Sequence, residues 1–147
     1  MATFLLDTNL LLRLSDGASP DQALADQAIK RLRLRGDWPC LTAQNLIEFW
    51  AVATRPVDAN GFGWDTQKTR EEIDQLLNRF QLFDDTTAIL TNWVNLVTTH
   101  DVKGKKVHDA RLVAVMQAHG ATHLLTFNID GFKSYSGITL VHPSDVK

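Results

Sequence analysis

The chain opens on a short apolar run, Ala2 to Leu6, that stops at the polar trio Asp7-Thr8-Asn9. A run of this length, bounded in this way, predicts a buried strand. A helix is predicted from Thr8 to Leu14, followed by a turn-rich break over Ser15 to Pro20. From Asp21 to Leu34, Ala23, Leu24, Ala28, Ile29 and Leu32 share one helical stripe, and Gly36 stops it. Trp38 to Leu41 is a short strand candidate, and Thr42 is placed to cap a helix through Ala53. Arg55 to Trp64 carries Pro56, Gly61 and Gly63 and reads as a loop. Asp65 or Thr66 caps the next helix, which runs to about Phe80, and Gln81 to Phe83 is strand-like. Asp84 and Asp85 sit where a helix start favours negative charge, and that helix runs toward His100. Asp101 to Val107 is a lysine-bearing loop, His108 to His119 a helix ended by Gly120, and Thr122 to Thr126 a strand. Asn128 to Tyr135 is a turn with a short helical piece, and Ile138 to Val141 is the last strand. Strands alternate with helices throughout, which predicts an α/β fold with a parallel sheet covered on both faces.

The 147 residues suit one domain spanning 1–147, with no repeat, linker or low-complexity tract. The net charge of −2 gives no bulk electrostatic case for nucleic acid, so any such binding must come from a local patch. Cys40 is the sole cysteine, which excludes an intrachain disulfide and argues against a thiolate zinc site. No basic region precedes Phe4, and Asp7 interrupts the apolar stretch early, so no signal peptide is expected. No run approaches a membrane span, and a reducing cytoplasm is the expected location.

Three acids stand in apolar settings: Asp7 at the end of the first strand, Glu48 in Leu46-Ile47-Glu48-Phe49-Trp50, and Asp109 in Val107-His108-Asp109-Ala110. A carboxylate is costly to desolvate unless it binds a positive group or is well hydrogen-bonded. In an open parallel sheet, ligands bind beyond the carboxyl ends of the strands. Asp7 follows the first strand there, and the cluster Thr126-Phe127-Asn128-Ile129-Asp130 follows a later one. Asp109 lies in the first turn of its helix, while Glu48 is about two turns into its own and reaches the cleft only if that helix crosses close above it. Carboxylates meeting at one point repel, and hard cations such as Mg²⁺ or Mn²⁺ with oxygen ligands relieve that repulsion. Phosphodiester hydrolysis is the reaction such a set most often serves. Each acid also has a plainer use. Asp7 is a good helix cap, Glu48 and Asp109 could be solvated helix residues, and Asn128 and Asp130 could shape a turn.

Four segments taken together resemble the PIN-domain ribonucleases, and more narrowly VapC-type toxins of bacterial toxin–antitoxin pairs. They are Leu6-Asp7-Thr8-Asn9, Asn45-Leu46-Ile47-Glu48-Phe49, Val107-His108-Asp109-Ala110-Arg111-Leu112-Val113-Ala114, and Leu124-Leu125-Thr126-Phe127-Asn128-Ile129-Asp130-Gly131-Phe132. The resemblance implies a three-layer α/β/α sandwich and a Mg²⁺- or Mn²⁺-dependent endoribonuclease. It implies Asp7 and Asp109 as metal ligands, Glu48 as a ligand or as the residue orienting the attacking water, and Thr126 bonded within the acidic cluster. A homodimer and a small antitoxin that blocks the cleft are implied as well. The family's fourth acid often lies two residues after the motif threonine, where this chain has Asn128. An amide offers a carbonyl oxygen but no charge, so Asn128 or Asp130 is left to complete the site.

Lys103, Lys105, Lys106 and Arg111 flank Asp109 in sequence and form either a cationic rim for RNA phosphates or a solvated basic loop. The run Lys30, Arg31, Arg33, Arg35 lies at a helix C-terminus, where cations are favoured in any case. Phe62 and Trp64 could stack on bases, but packing against the domain's own core is the plainer reading, and Trp38, Trp50 and Trp93 read as core or dimer-interface residues. Two rival functions follow from the same residues. One is a non-catalytic RNA- or protein-binding module, weakened by Asn128. The other is an aspartyl phosphatase, which would want a second Asp where Asn9 stands.

Overall fold

The structure is a computed structural model and describes residues 1–147. The elements in chain order are β1 (Thr3–Leu6), α1 (Thr8–Ser15), α2 (Gln22–Leu34), β2 (Trp38–Thr42), α3 (Ala43–Thr54), α4 (Thr66–Arg79), β3 (Gln81–Phe83), α5 (Thr87–Thr99), α6 (Val107–His119), β4 (His123–Leu125) and β5 (Thr139–Val141). All five strands are parallel, in the order β3-β2-β1-β4-β5.

Alternation along each strand sets the layers. Phe4 and Leu6 of β1, Leu41 of β2 and Leu125 of β4 point to one face, where they bury Leu10 and Leu11 of α1, Ile29 and Leu32 of α2, Phe49 of α3 and Leu76 of α4. Leu5, Cys40 and Leu124 point to the other face, against Ile89 and Leu96 of α5 and the apolar stretch Leu112 to Met116 of α6. The result is a three-layer α/β/α sandwich, with α1 to α4 on one side and α5 and α6 on the other. Burial raises the Cys40 thiol to about 11, as suits a small core residue rather than a reactive one.

The chain winds outward from β1 through β2 to β3, then crosses the opposite face through α5 and α6 to reach β4. Strand order therefore reverses between β1 and β4, the position where open parallel sheets form their ligand crevice.

Local chemistry fixes the helix starts. Asp7 accepts from the Thr8 amide at 2.8 Å, and Asp65 accepts from Lys68 at 2.8 Å. Thr42 and Asn45 form a reciprocal capping box at the start of α3. In the loop after α3, Phe62 and Trp64 fold back on the core, with ring centroids 4.9 Å apart. A Cβ at Gly61 would lie 1.9 Å from the Arg55 carbonyl oxygen, so only glycine allows that return. The plain reading of these two aromatics holds. Of the two readings for Trp38, core or dimer interface, the core one falls, because the residue stands at the open amino end of β2, 54% exposed. Trp50 and Trp93 are half-buried. The basic run of α2 is occupied locally: Lys30 pairs with Asp26, Arg35 with Asp37, and Arg31 and Arg33 donate to the carbonyls of Val146 and Arg79. No helix is long and apolar enough to cross a membrane.

Candidate active site

Asp7 leaves the carboxyl end of β1 at the reversal point, and its amide donates to the Leu125 carbonyl of β4 at 3.0 Å. Its side chain is 6% exposed. One carboxylate oxygen accepts from the Thr8 amide, and the other accepts from the Thr126 hydroxyl at 2.7 Å. Thr126 Oγ in turn accepts from the Asn128 amide at 2.9 Å. Asn9 ties the same two segments, its side-chain oxygen accepting from the Phe127 amide at 3.4 Å.

Helix α3 does cross close to this edge. The Thr8 hydroxyl donates to Glu48 at 2.7 Å and accepts from Asn45 at 3.0 Å. Gln44, one turn before Glu48, donates to its other oxygen at 3.3 Å and to the His108 carbonyl at 2.7 Å. Gln44 also accepts from Arg111 at 3.1 Å. Through this one buried amide, α3 is locked to the first turn of α6, from which Asp109 projects. The Asp109 carboxylate is half-buried and has no hydrogen-bond partner within the chain.

The electrostatics are those of acids buried close together. Burial, with the charges of Asp109 and Glu48 added, raises Asp7 to about 6 despite the bonds from Thr126 and Thr8. Burial and the Glu48 charge raise Asp109 as well, although His108 and Lys106 pull it down. No three acidic, imidazole or thiol side chains converge tightly enough to chelate one ion among themselves. A hard cation of the Mg²⁺ type needs no such trio, because it keeps several waters and takes one or two carboxylates. The all-oxygen donor set, with two acids pushed up by burial and mutual repulsion, suits such an ion.

Of the candidate residues, the structure gathers Asp7, Glu48, Asp109 and Thr126. It does not add the other two side chains to them. Asn128 turns outward and accepts from the Gly131 amide at 3.3 Å, capping the 3-10 turn Ile129–Phe132. Asp130 is exposed and pairs with Lys133 at 2.6 Å, which holds its carboxyl below the usual range. The one-turn helix after Asn128 carries Asp130 away from the strand end, so its spacing from Thr126 does not place it over Asp7.

The basic residues divide too. Lys103, Lys105 and Lys106 are exposed on the α5–α6 loop, whereas Arg111 bonds to Gln44 and to Asp85 at 3.4 Å. Arg111 lines a different depression, with Ile47, Glu48 and His108. Three supporting residues, Thr8, Gln44 and Asn45, carry no assignment in the sequence reading. Gln44 and Asn45 lie four and three positions before Glu48, where helix geometry puts neighbours on one face, and that spacing was the available signal.

The PIN domain family matches residues 4–138, and the chain belongs to it. Among solved structures, the fold is similar to VapBC2 from Rickettsia felis bound to a DNA fragment from its promoter, with a TM-score of 0.73 at 16% identity, covering 95% of this chain and 98% of that one. It is similar to a toxin–antitoxin complex from Klebsiella pneumoniae, with a TM-score of 0.66 at 22% identity, covering 97% and 98% of the two chains. It is also similar to VapC20 of Mycobacterium tuberculosis, described as a sarcin-ricin loop cleaving toxin, with a TM-score of 0.66 at 17% identity, covering 89% and 94%. No curated protein sequence matches the chain.

Proposed function

We propose that the chain is a single-domain, divalent-metal-dependent endoribonuclease that hydrolyses RNA phosphodiester bonds, and the VapC-type toxin of a toxin–antitoxin pair. The observation that carries this reading is the buried Asp7, bonded to Thr126 at the strand-order reversal, with Glu48 and Asp109 brought to the same edge.

Asp7 and Asp109 would hold Mg²⁺ or Mn²⁺. When bound, such an ion acidifies water in its shell and offsets charge on the scissile phosphate. The chain's own residues supply the frame. Thr126 and the Thr8 amide fix both oxygens of Asp7, and each oxygen keeps a further lone pair that could serve a metal. Thr8 and Gln44 hold Glu48 where it orients an incoming water and accepts a hydrogen bond from it. The lysines of the α5–α6 loop give the acidic centre a cationic margin for phosphates.

The partner reading rests on the surface next to the site. Ile47, 70% exposed, lines the depression that holds Glu48 and Arg111, and Leu90, 65% exposed, lines a neighbouring depression that shares His108 and Arg111 with it. Exposed apolar side chains around a functional cleft suit a protein partner, here an antitoxin, with a second copy as homodimer elsewhere on the surface. Several similar structures are toxin–antitoxin complexes by name. A cytoplasmic location goes with this reading.

Incubation of purified protein with a mixed tRNA and rRNA pool tests it. The expected result is discrete fragments in Mg²⁺ or Mn²⁺ and none in EDTA. RNA binding that survives EDTA, with no turnover in any metal, would support the non-catalytic module instead.

A further inference from the structure

A second cleft opens on the side of Asp109 away from Arg111. Its cavity volume is about 580 Å³, and its walls come from two segments distant in sequence. His100, Lys103 and Lys106 belong to the α5–α6 loop, while Lys133, Ser134 and Tyr135 follow the 3-10 turn after β4. Both segments sit at the carboxyl edge of the sheet, because α6 begins there and β4 ends there.

The cleft borders segments that also carry the acidic centre. Lys106 directly precedes α6, whose first turn carries Asp109. Asp130 and Gly131, also in the cleft's lining, belong to the 3-10 turn that follows Thr126. The half-buried His100 ring packs on Tyr135, which belongs to the core and is 8% exposed, with ring centroids 4.8 Å apart, so His100 is the ring the cleft presents. Lys103 and Lys133 pair with Asp101 and Asp130 at 3.2 and 2.6 Å, and Lys106 has no carboxylate partner. Both pairs are largely exposed. Such pairs contribute little in water and yield readily to a stronger anion. The three lysines stand on opposite walls, and the volume falls within the roughly 300–1,000 Å³ of small-ligand clefts. Lysines facing across a groove with an aromatic ring match a single-stranded polynucleotide, whose phosphates and bases need both.

We propose that this cleft is the subsite for the RNA nucleotides on one side of the scissile bond, with Lys103, Lys106 and Lys133 on their phosphates and the half-buried His100 ring against a base. Asp130 is then the residue that positions Lys133. The inference rests on the nuclease reading for the word "scissile" alone, since the cleft's chemistry takes single-stranded RNA whether or not the chain cuts it.

The test is fluorescence anisotropy of a 5′-fluorescein oligo(U)₁₂ RNA in EDTA, titrated with wild-type protein and with the triple variant Lys103→Ala/Lys106→Ala/Lys133→Ala, from low to moderate KCl. Single-stranded binding loses about 0.7 of a log–log slope unit per phosphate contact. The triple variant is expected to bind at least tenfold more weakly, with a slope shallower by about 2, while Lys30→Ala/Lys68→Ala stays at wild-type affinity. His100→Ala, with its fold checked by circular dichroism, is expected to weaken binding about fivefold without changing the slope. Equal affinity and slope for wild type and the triple variant would overturn the subsite, as would absence of measurable RNA binding by the wild type. Equal displacement of the RNA by oligoglutamate would also overturn it and reassign the cleft to an acidic protein segment. A wild type that cuts the RNA pool while the triple variant binds normally sinks the subsite and spares the nuclease. A wild type that never cuts while the triple variant loses RNA does the reverse.

Discussion

The Thr126 hydroxyl donates to Asp7 at 2.7 Å and so joins the ends of two parallel strands that lead away from each other through the fold. The same oxygen accepts from the Asn128 amide, so one side chain sets both the carboxylate and the start of the following turn. Thr126→Val keeps the shape and removes both bonds. Hydrogen bonds to charged groups contribute about 1.5–3 kcal/mol, so urea unfolding at pH 7.5 should show a loss of about 2 kcal/mol. Cleavage should fall at least tenfold, and Thr126→Ser should recover most of each. A loss under about 0.5 kcal/mol would mean that water replaces the hydroxyl.

Asp7 predicts a stability profile of unusual sign. Its folded-state value of about 6 lies above the unfolded value of 3.8. The native state therefore binds the proton first as pH falls, and the cost of the buried charge is felt above pH 6 and disappears between pH 6 and 4. Two units correspond to roughly 3 kcal/mol at most. Asp7→Asn should therefore stabilise the metal-free protein by about 1–3 kcal/mol at pH 8, with the difference closing toward pH 4. Thermal unfolding in EDTA at several pH values measures this. A variant less stable than wild type at pH 8 would refute it.

Glu48 owes its position to neighbours. The Thr8 hydroxyl and the Gln44 amide hold its two oxygens, and Asn45 holds Thr8 while closing the capping box of α3. Asn45→Ala removes a cap worth about 1 kcal/mol and leaves buried partners unsatisfied. The expected destabilisation is about 2–3 kcal/mol, with kcat lowered at least tenfold. Gln44→Ala should lower kcat by a similar factor at less than half that stability loss, because its partners are nearer to solvent. Equal effects on stability and kcat in both variants would count against a positioning role.

The two acids of the later motifs should separate cleanly. Asp109 is open to the crevice with no partner, whereas Asp130 is exposed and engaged with Lys133. Asp109→Asn should lower kcat at least a hundredfold. Asp130→Asn should lower kcat less than threefold and act mainly on KM. A hundredfold loss of kcat in Asp130→Asn would place that carboxylate at the reacting centre after all.

Most of the fold was legible from periodicity and punctuation. Each strand and helix was read within a residue or two of its place, because turn formers and caps such as Thr42, Asp65 and Gly120 mark the boundaries sharply. Asp7 and Thr126 stand out in the sequence because each follows a buried strand, and the structure bonds the two side chains to each other. What a linear reading could not supply was direction. Asp130 is near Thr126 in sequence, but the 3-10 turn rotates it toward Lys133. Arg111 is near the lysines in sequence, but the helix start carries it to Gln44 on the opposite side. Gln44 shares a helix face with Glu48 by spacing, but its bonds to His108 and Arg111 depend on α6 packing across α3. The lysine cleft was half legible, since Lys133 and Tyr135 join it through tertiary packing.

The most direct test of the metal nuclease is a Mn²⁺ titration of wild type, Asp7→Asn and Asp109→Asn, with free Mn²⁺ read by electron paramagnetic resonance and RNA cleavage assayed on the same samples. The account predicts that the wild type takes up Mn²⁺ and cuts RNA in proportion to occupancy, and that each substitution abolishes both. Mn²⁺ uptake that is absent in the wild type, or unchanged in both variants, would contradict it.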